Sequence, residues 1–137
     1  MPFITSNRVQ MYDTDAAGII YFASQFRYAH DAFEQIMQSI GYNFTDLLEK
    51  EPFIFVIVHA EADYFAPLKV GDLITVETRI TRIGETSFTL DYQLSKEGKI
   101  VGRCQTVHVC LDKHTRKKQT LPAKPMSKLR QYYVPAE

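Results

Sequence analysis

No apolar run in this sequence approaches the roughly 18 residues that a membrane span requires. The opening MPFITSNRVQ has no basic stretch leading into a long apolar core. A cytoplasmic protein without membrane partners is therefore expected. HExxH, GxSxG, GxGxxG and CxxC are all missing, and the four histidines (His30, His59, His108, His114) are scattered without metal-ligand spacing. Neither a metal nor a cofactor is expected. Charge of one sign is not in excess either, with 16 basic and 16 acidic residues. The surplus of Lys and Arg after residue 110 is a single short cluster without interleaved aromatics, which falls short of a nucleic-acid footprint.

Cysteine is scarce. Cys104 and Cys110 lie in the alternating segment VGRCQTVHVCL. On one strand they share a face about 20 Å apart, too far to bridge each other. Two readings compete: small buried hydrophobes in a reducing compartment, or a Cys/His nucleophile pair with His108.

What is present is a globular composition. Hydrophobic residues make up 45% of the chain and charged residues 23%, which excludes disorder. The 137 residues suffice for one domain, 1–137, that buries about two-thirds of its unfolded surface. The hydrophobic period changes along it. FITSNRVQMY alternates loosely as a strand and DTDAAG is turn chemistry. Phe22, Phe26, Ala29, Phe33, Ile36, Met37 and Ile40 then recur at helical spacing up to Gly41, with Ser24 or a residue just before it as the cap. After the short amphipathic turn NFTDLLEK come four strand-like segments, FIFVIVHAEADYFA, DLITVETRITRI, TSFTLDYQLS and KIVGRCQTVHVCL. The last two are joined by a KEGK hairpin tip, and a short helix is expected near PMSKLRQYY. The order β-α-β-β-β-β predicts an α+β fold, an antiparallel five-stranded sheet wrapped around one long helix.

Within that order the junction DTDAAGIIYFASQF concentrates the chemistry. A calcium loop opening at Asp13 would need Glu at its twelfth position, which is Ser24, and an oxygen ligand at its fifth, which is Ala17. Asp13 and Asp15 can simply cap the turn. Alternatively, a carboxylate just ahead of an apolar helix lies beside free N–H groups at the positive end of the helix dipole. An Asp there can act as general base or nucleophile on a carbonyl without a metal.

Asp15-Ala16-Ala17-Gly18-Ile19-Ile20-Tyr21-Phe22, followed by HAEADYFAPLKVGD, resembles the signature of the 4-hydroxybenzoyl-CoA thioesterase family of hotdog-fold proteins. The resemblance covers nearly the whole chain. It implies an acyl-CoA thioesterase with Asp15 as the catalytic carboxylate, the backbone N–H of Phe22 polarising the thioester carbonyl, and Asp13 in support. It also implies a homodimer or homotetramer with the site at a subunit interface. Phe22 stands where members acting on aliphatic chains carry His. An aromatic wall of Tyr21 and Phe22 suits an aromatic acyl group. DTDAAGIIYF, His30, IVHAEADYFAP and RKKQTLP are similar to members that act on a dihydroxynaphthoyl-CoA. His59 shares a strand face with Glu61 and Asp63 and is placed either at a substrate hydroxyl or at a subunit contact. Arg116, Lys117 and Lys118 either hold the phosphates of coenzyme A or form a solvated surface. A non-catalytic acyl-CoA-binding module is the rival reading, and the retained Asp15 counts against it. A hydratase is a further rival, for which Phe22 leaves no obvious site histidine.

Overall fold

The computed structural model describes residues 1–135. The apolar stripe of the helical segment becomes α1 (Ser24–Ser39), whose Tyr28, Ala29, Ala32, Phe33, Ile36 and Met37 are buried. Residues three and four apart fall on one face of a helix. Burial of Ile36 and Met37 contributes about 1.5–3 kcal/mol each, and an Ile36→Ala cavity would cost about 2–5 kcal/mol.

The sheet that covers this face contains β1 (Phe3–Arg8), β2 (Phe53–Tyr64), β3 (Leu73–Ile83), β4 (Ser87–Lys96) and β5 (Lys99–Asp112). Its spatial order is β1-β3-β4-β5-β2, and every neighbouring pair is antiparallel. Alternation along β3, β4 and β5 sends Ile74, Val76, Ile80, Leu90, Tyr92, Leu94, Cys104 and Cys110 into one core cluster with α1. The opposite face is polar, with Glu77 and Arg79 paired on β3 and Arg103 reaching Asp91. Both cysteines are free and buried. Burial pushes the Cys104 thiol up to about 11 and raises that of Cys110. The buried-hydrophobe reading holds, because a desolvated, protonated thiol is a poor nucleophile.

Several boundaries differ from those the sequence suggests. β1 ends at Arg8, and Met11–Asp13 forms a 3-10 turn because Gln10 and Asp13 close reciprocal bonds around it. NFTDLLEK is a true helix, α2 (Phe44–Lys50), capped by the Asn43 side chain accepting from Asp46 N–H at 2.8 Å. α1 begins at Ser24 with Ala23, the residue just before it, at its N-cap as the second expected alternative, and Ser24 Oγ donates to the Asp13 carbonyl at 2.8 Å. Phe22 therefore lies ahead of the helix. The expected C-terminal helix is α3 (Ala123–Leu129). The KEGK tip is as expected, with Gly98 at φ +80°. Among the described residues, no helix is long and apolar enough to cross a membrane, and no cluster of His, Cys, Asp and Glu is placed to hold a metal. Residues 136 and 137 of the expected domain lie outside the described residues.

Candidate active site

The two aspartates of the turn have separate environments. Asp13 is 1% exposed. Arg27, one turn into α1, clasps it with Nε to Oδ1 at 2.7 Å and Nη2 to Oδ2 at 2.5 Å, and Gln10 N–H donates to Oδ2 at 2.8 Å. Desolvation works to raise the Asp13 pKa, but the Arg27 and Gln10 hydrogen bonds outweigh it and hold the carboxyl below the usual range. Its main-chain carbonyl accepts from Tyr21 N–H at 2.7 Å as well as from Ser24 Oγ. Asp13 thus ties the turn to the helix start through both side chain and backbone.

Asp15, by contrast, is exposed. Its Oδ1 accepts from Ala17 N–H at 2.9 Å, an Asx turn that fixes the side chain, and among the described residues Oδ2 has no protein partner. Gly18 closes the loop at φ +80°, a conformation that favours glycine, with its N–H on the Asp15 carbonyl at 3.0 Å. Asp15 N–H donates to Ile19 O, and Ile20 N–H to Leu68 O, anchoring the turn to the segment after β2.

Tyr21 C=O accepts from Ser24 N–H at 2.8 Å and so points along α1. In a trans peptide the next N–H points the opposite way, so Phe22 N–H faces out ahead of the helix. Among the described residues it has no backbone acceptor. It is a free donor at the positive end of α1. Asp15, Ala17, Phe22, Tyr64, Phe65 and Pro67 line one cavity of about 460 Å³ in front of it. Asp15 and Phe22 thus line one open cavity, with Phe22, Tyr64 and Phe65 as an aromatic wall. That arrangement can receive a flat carbonyl compound, stabilise negative charge on its oxygen and present a base or nucleophile to its carbon. A cavity of similar size is lined by Leu121, Met126 and Arg130, with Glu85 and Ala123, the first residue of α3, also on its wall.

Of the residues expected at the site, one chain brings together Asp15 and Phe22. Tyr21 packs its ring 4.5 Å from that of Phe22, beside the cavity and outside its lining. His59 is elsewhere. A bulge between Ile57 and His59 resets the alternation of β2, so that Ile57 and Ala60 face α1 while Glu61 and Asp63 line a small cavity on the sheet's outer side. His59 shares that outer side, with Nε2 3.9 Å from Glu61. Arg116, Lys117 and Lys118 follow β5, where Lys113 N–H reaches Pro52 O at the start of β2. Tyr64 is at the other end of that 12-residue strand, about 36 Å away at 3.3 Å per residue. Sequence reasoning did not single out Tyr64, although it lies in the quoted ADYFA segment. The Arg27 clasp on Asp13 also went unnoticed, its only signal being a lone cation in an apolar helical run.

A sheet folded over one long helix, with a turn delivering a free carboxylate to the head of that helix, defines a hotdog-fold thioesterase. The chain belongs to the thioesterase-like superfamily, whose family model matches residues 9–129. It is 34% identical over 122 residues to a 1,4-dihydroxy-2-naphthoyl-CoA hydrolase of Nostoc punctiforme, covering 89% of this chain and 82% of that protein. To the hydrolase of the same name in Synechococcus elongatus it is 36% identical over 115 residues, covering 83% and 85%. The crystal structure of a 1,4-dihydroxy-2-naphthoyl-CoA thioesterase from Synechocystis matches with a TM-score of 0.87 at 31% identity, over 94% of this chain and 96% of that one.

Proposed function

We propose that the protein hydrolyses an aromatic acyl-CoA, 1,4-dihydroxy-2-naphthoyl-CoA first among candidates, in the cytoplasmic synthesis of menaquinone or phylloquinone. The observation that carries this reading is that Asp15 and Phe22 line one cavity and the Phe22 N–H has no backbone acceptor among the described residues. The names of relatives at 31–36% identity supply the acyl group. The thioester oxygen accepts from Phe22 N–H. Asp15 Oδ2 then either attacks the carbonyl carbon, expelling CoA thiolate and leaving an anhydride that water cleaves, or takes the proton of a water that attacks instead. Charge developing on the oxygen meets a donor already in place. The acyl rings lie against Phe22, with Tyr21 flanking. They extend one helical turn further towards Phe26, His30 and Ala60, which line a second cavity of about 310 Å³.

A second copy completes the site. β2 is a 12-residue strand at the sheet's edge, with Ile57 43% and Val58 60% exposed. A long apolar edge of this kind is a pairing surface. Antiparallel pairing of two β2 strands about Val58 sets the Phe53 end of one beside the Tyr64 end of the other. The Arg116–Lys118 loop of the second copy then faces the mouth of the Asp15 cavity, where it meets the phosphates of coenzyme A, and His59 lies close to the contact. A homodimer is the unit of activity, and pairing of dimers gives a homotetramer.

The test is thiol release from a panel of acyl-CoAs. Rapid release from hydroxynaphthoyl- and hydroxybenzoyl-CoA, with little from aliphatic chains, supports the reading. Binding of these thioesters without release would favour a non-catalytic module.

A further inference from the structure

We infer that Tyr64 is a positioning residue for the Phe22 N–H, and that buried Gln25 holds the strand end that carries it. This rests on the thioesterase reading above and concerns what keeps its donor in place. Phe22 lies outside α1 and is 62% exposed; Ser24 N–H on the Tyr21 carbonyl holds the peptide that carries the Phe22 N–H from one side, while neither helix bonding nor core packing holds the Phe22 carbonyl on the other. Its carbonyl, however, accepts from the Tyr64 hydroxyl. Among the described residues no other side chain bonds its backbone. Desolvation raises the Tyr64 phenol above its ordinary pKa, so it stays protonated and remains a donor.

Tyr64 is itself held by the first turn of the helix. It ends β2 opposite Gly102 of β5. Gln25, 0% exposed and three residues after Phe22, donates from Nε2 to the carbonyl of Asp63 at 2.9 Å and to that of Arg103 at 3.2 Å. The amide fits there because residue 102 is glycine: a Cβ at that position would stand 2.4 Å from Gln25 Oε1. The helix head and the strand end are thus fastened at two points, Gln25 to the strand and Tyr64 back to Phe22. Oxyanion stabilisation depends on a donor that is already oriented. Loss of the Tyr64 hydroxyl loosens Phe22 without altering the aromatic wall, and the loss is felt in the transition state more than in substrate binding.

Tyr64→Phe removes that one oxygen. The expected result on an aroyl-CoA is a kcat reduced by about tenfold with KM within twofold, the pattern of a lost transition-state interaction, while the thermal midpoint stays within about 2 °C. The deficit should persist at every pH and on an S-aryl thioester of low thiol pKa. An unchanged kcat overturns the inference. So does a deficit that vanishes on the S-aryl thioester, since that would make Tyr64 a proton donor to the leaving thiolate. Gly102→Ala gives an independent check, because it displaces the Gln25 amide and leaves Tyr64 intact. It should lower kcat in the same direction, and full kcat in the folded variant would remove Gln25 from the account. A parent enzyme that releases no CoA from any aroyl thioester sinks the thioesterase reading itself, whereas an active parent matched by Tyr64→Phe sinks only the positioning role.

Discussion

Asp13 and Asp15 are two positions apart in one turn, yet Asp13 gives both carboxylate oxygens to Arg27 while Asp15 keeps Oδ2 unpartnered at the cavity. The first is consumed by structure and the second is available for chemistry. Asp13→Ala leaves Arg27 half-buried with only Asp31 paired to it, and chemical denaturation should show a loss of about 2–3 kcal/mol, below the full cost of breaking a buried pair because Arg27 still touches solvent and keeps Asp31. A loss under about 0.5 kcal/mol would contradict this assignment. The folded-state pKa of Asp13 is depressed, so its contribution is complete above the unfolded value of 3.8 and disappears as pH falls below it.

His108 governs a different pH range. It is 1% exposed, bonded to Thr106 Oγ1 at 2.8 Å and stacked on Phe88. Burial, with the field of His30, lowers its pKa from 6.5 to about 3. The unfolded chain therefore binds a proton that the folded chain refuses, and stability falls as pH drops from about 6.5 towards 3. The slope is at most about 1.4 kcal/mol per unit. His108→Phe, which keeps the aromatic stack, should flatten the stability profile between pH 6 and pH 4. An unaltered slope would show that another group titrates there.

The edge strand predicts an assembly. Sedimentation of the parent protein at micromolar concentration should report at least a dimer, and Val58→Asp, which places a charge in the middle of β2, should shift it towards monomer and raise KM for the CoA thioester. A monomeric parent would contradict the two-copy site.

For the basic loop, Arg116→Ala/Lys117→Ala/Lys118→Ala should raise KM several-fold with little change in kcat, and the effect should shrink as salt rises. A KM equal to the parent's would leave the loop as solvated surface.

Much of this was legible in the sequence because period and punctuation agreed. The stripe from Phe22 to Ile40 marked α1, which runs one to two residues shorter at each end, and Gly98 marked the β4–β5 hairpin. The turn that carries Asp15 was legible through its Asp and Gly residues. Four features were not. The 3-10 turn at Met11–Asp13 depends on reciprocal bonds between Gln10 and Asp13 that have no periodic signature. The bulge after Ile57 inverts the facing of half of β2, which simple alternation carries straight through. The Arg27 clasp and the Tyr64 contact join residues 14 and 42 positions apart. Only the closed fold creates such pairs.

Whether the Asp15 carboxylate does the chemistry is read from steady-state hydrolysis of 1,4-dihydroxy-2-naphthoyl-CoA by Asp15→Asn beside the parent. The amide keeps the side chain's size and its Oδ1 acceptor for Ala17 N–H, so the turn survives. The expected kcat is lower by about 10²-fold or more, with KM equal or lower, because the lost group acts in the transition state. Turnover by Asp15→Asn within a few-fold of the parent would contradict that expectation and return Asp15 to the role of a turn residue.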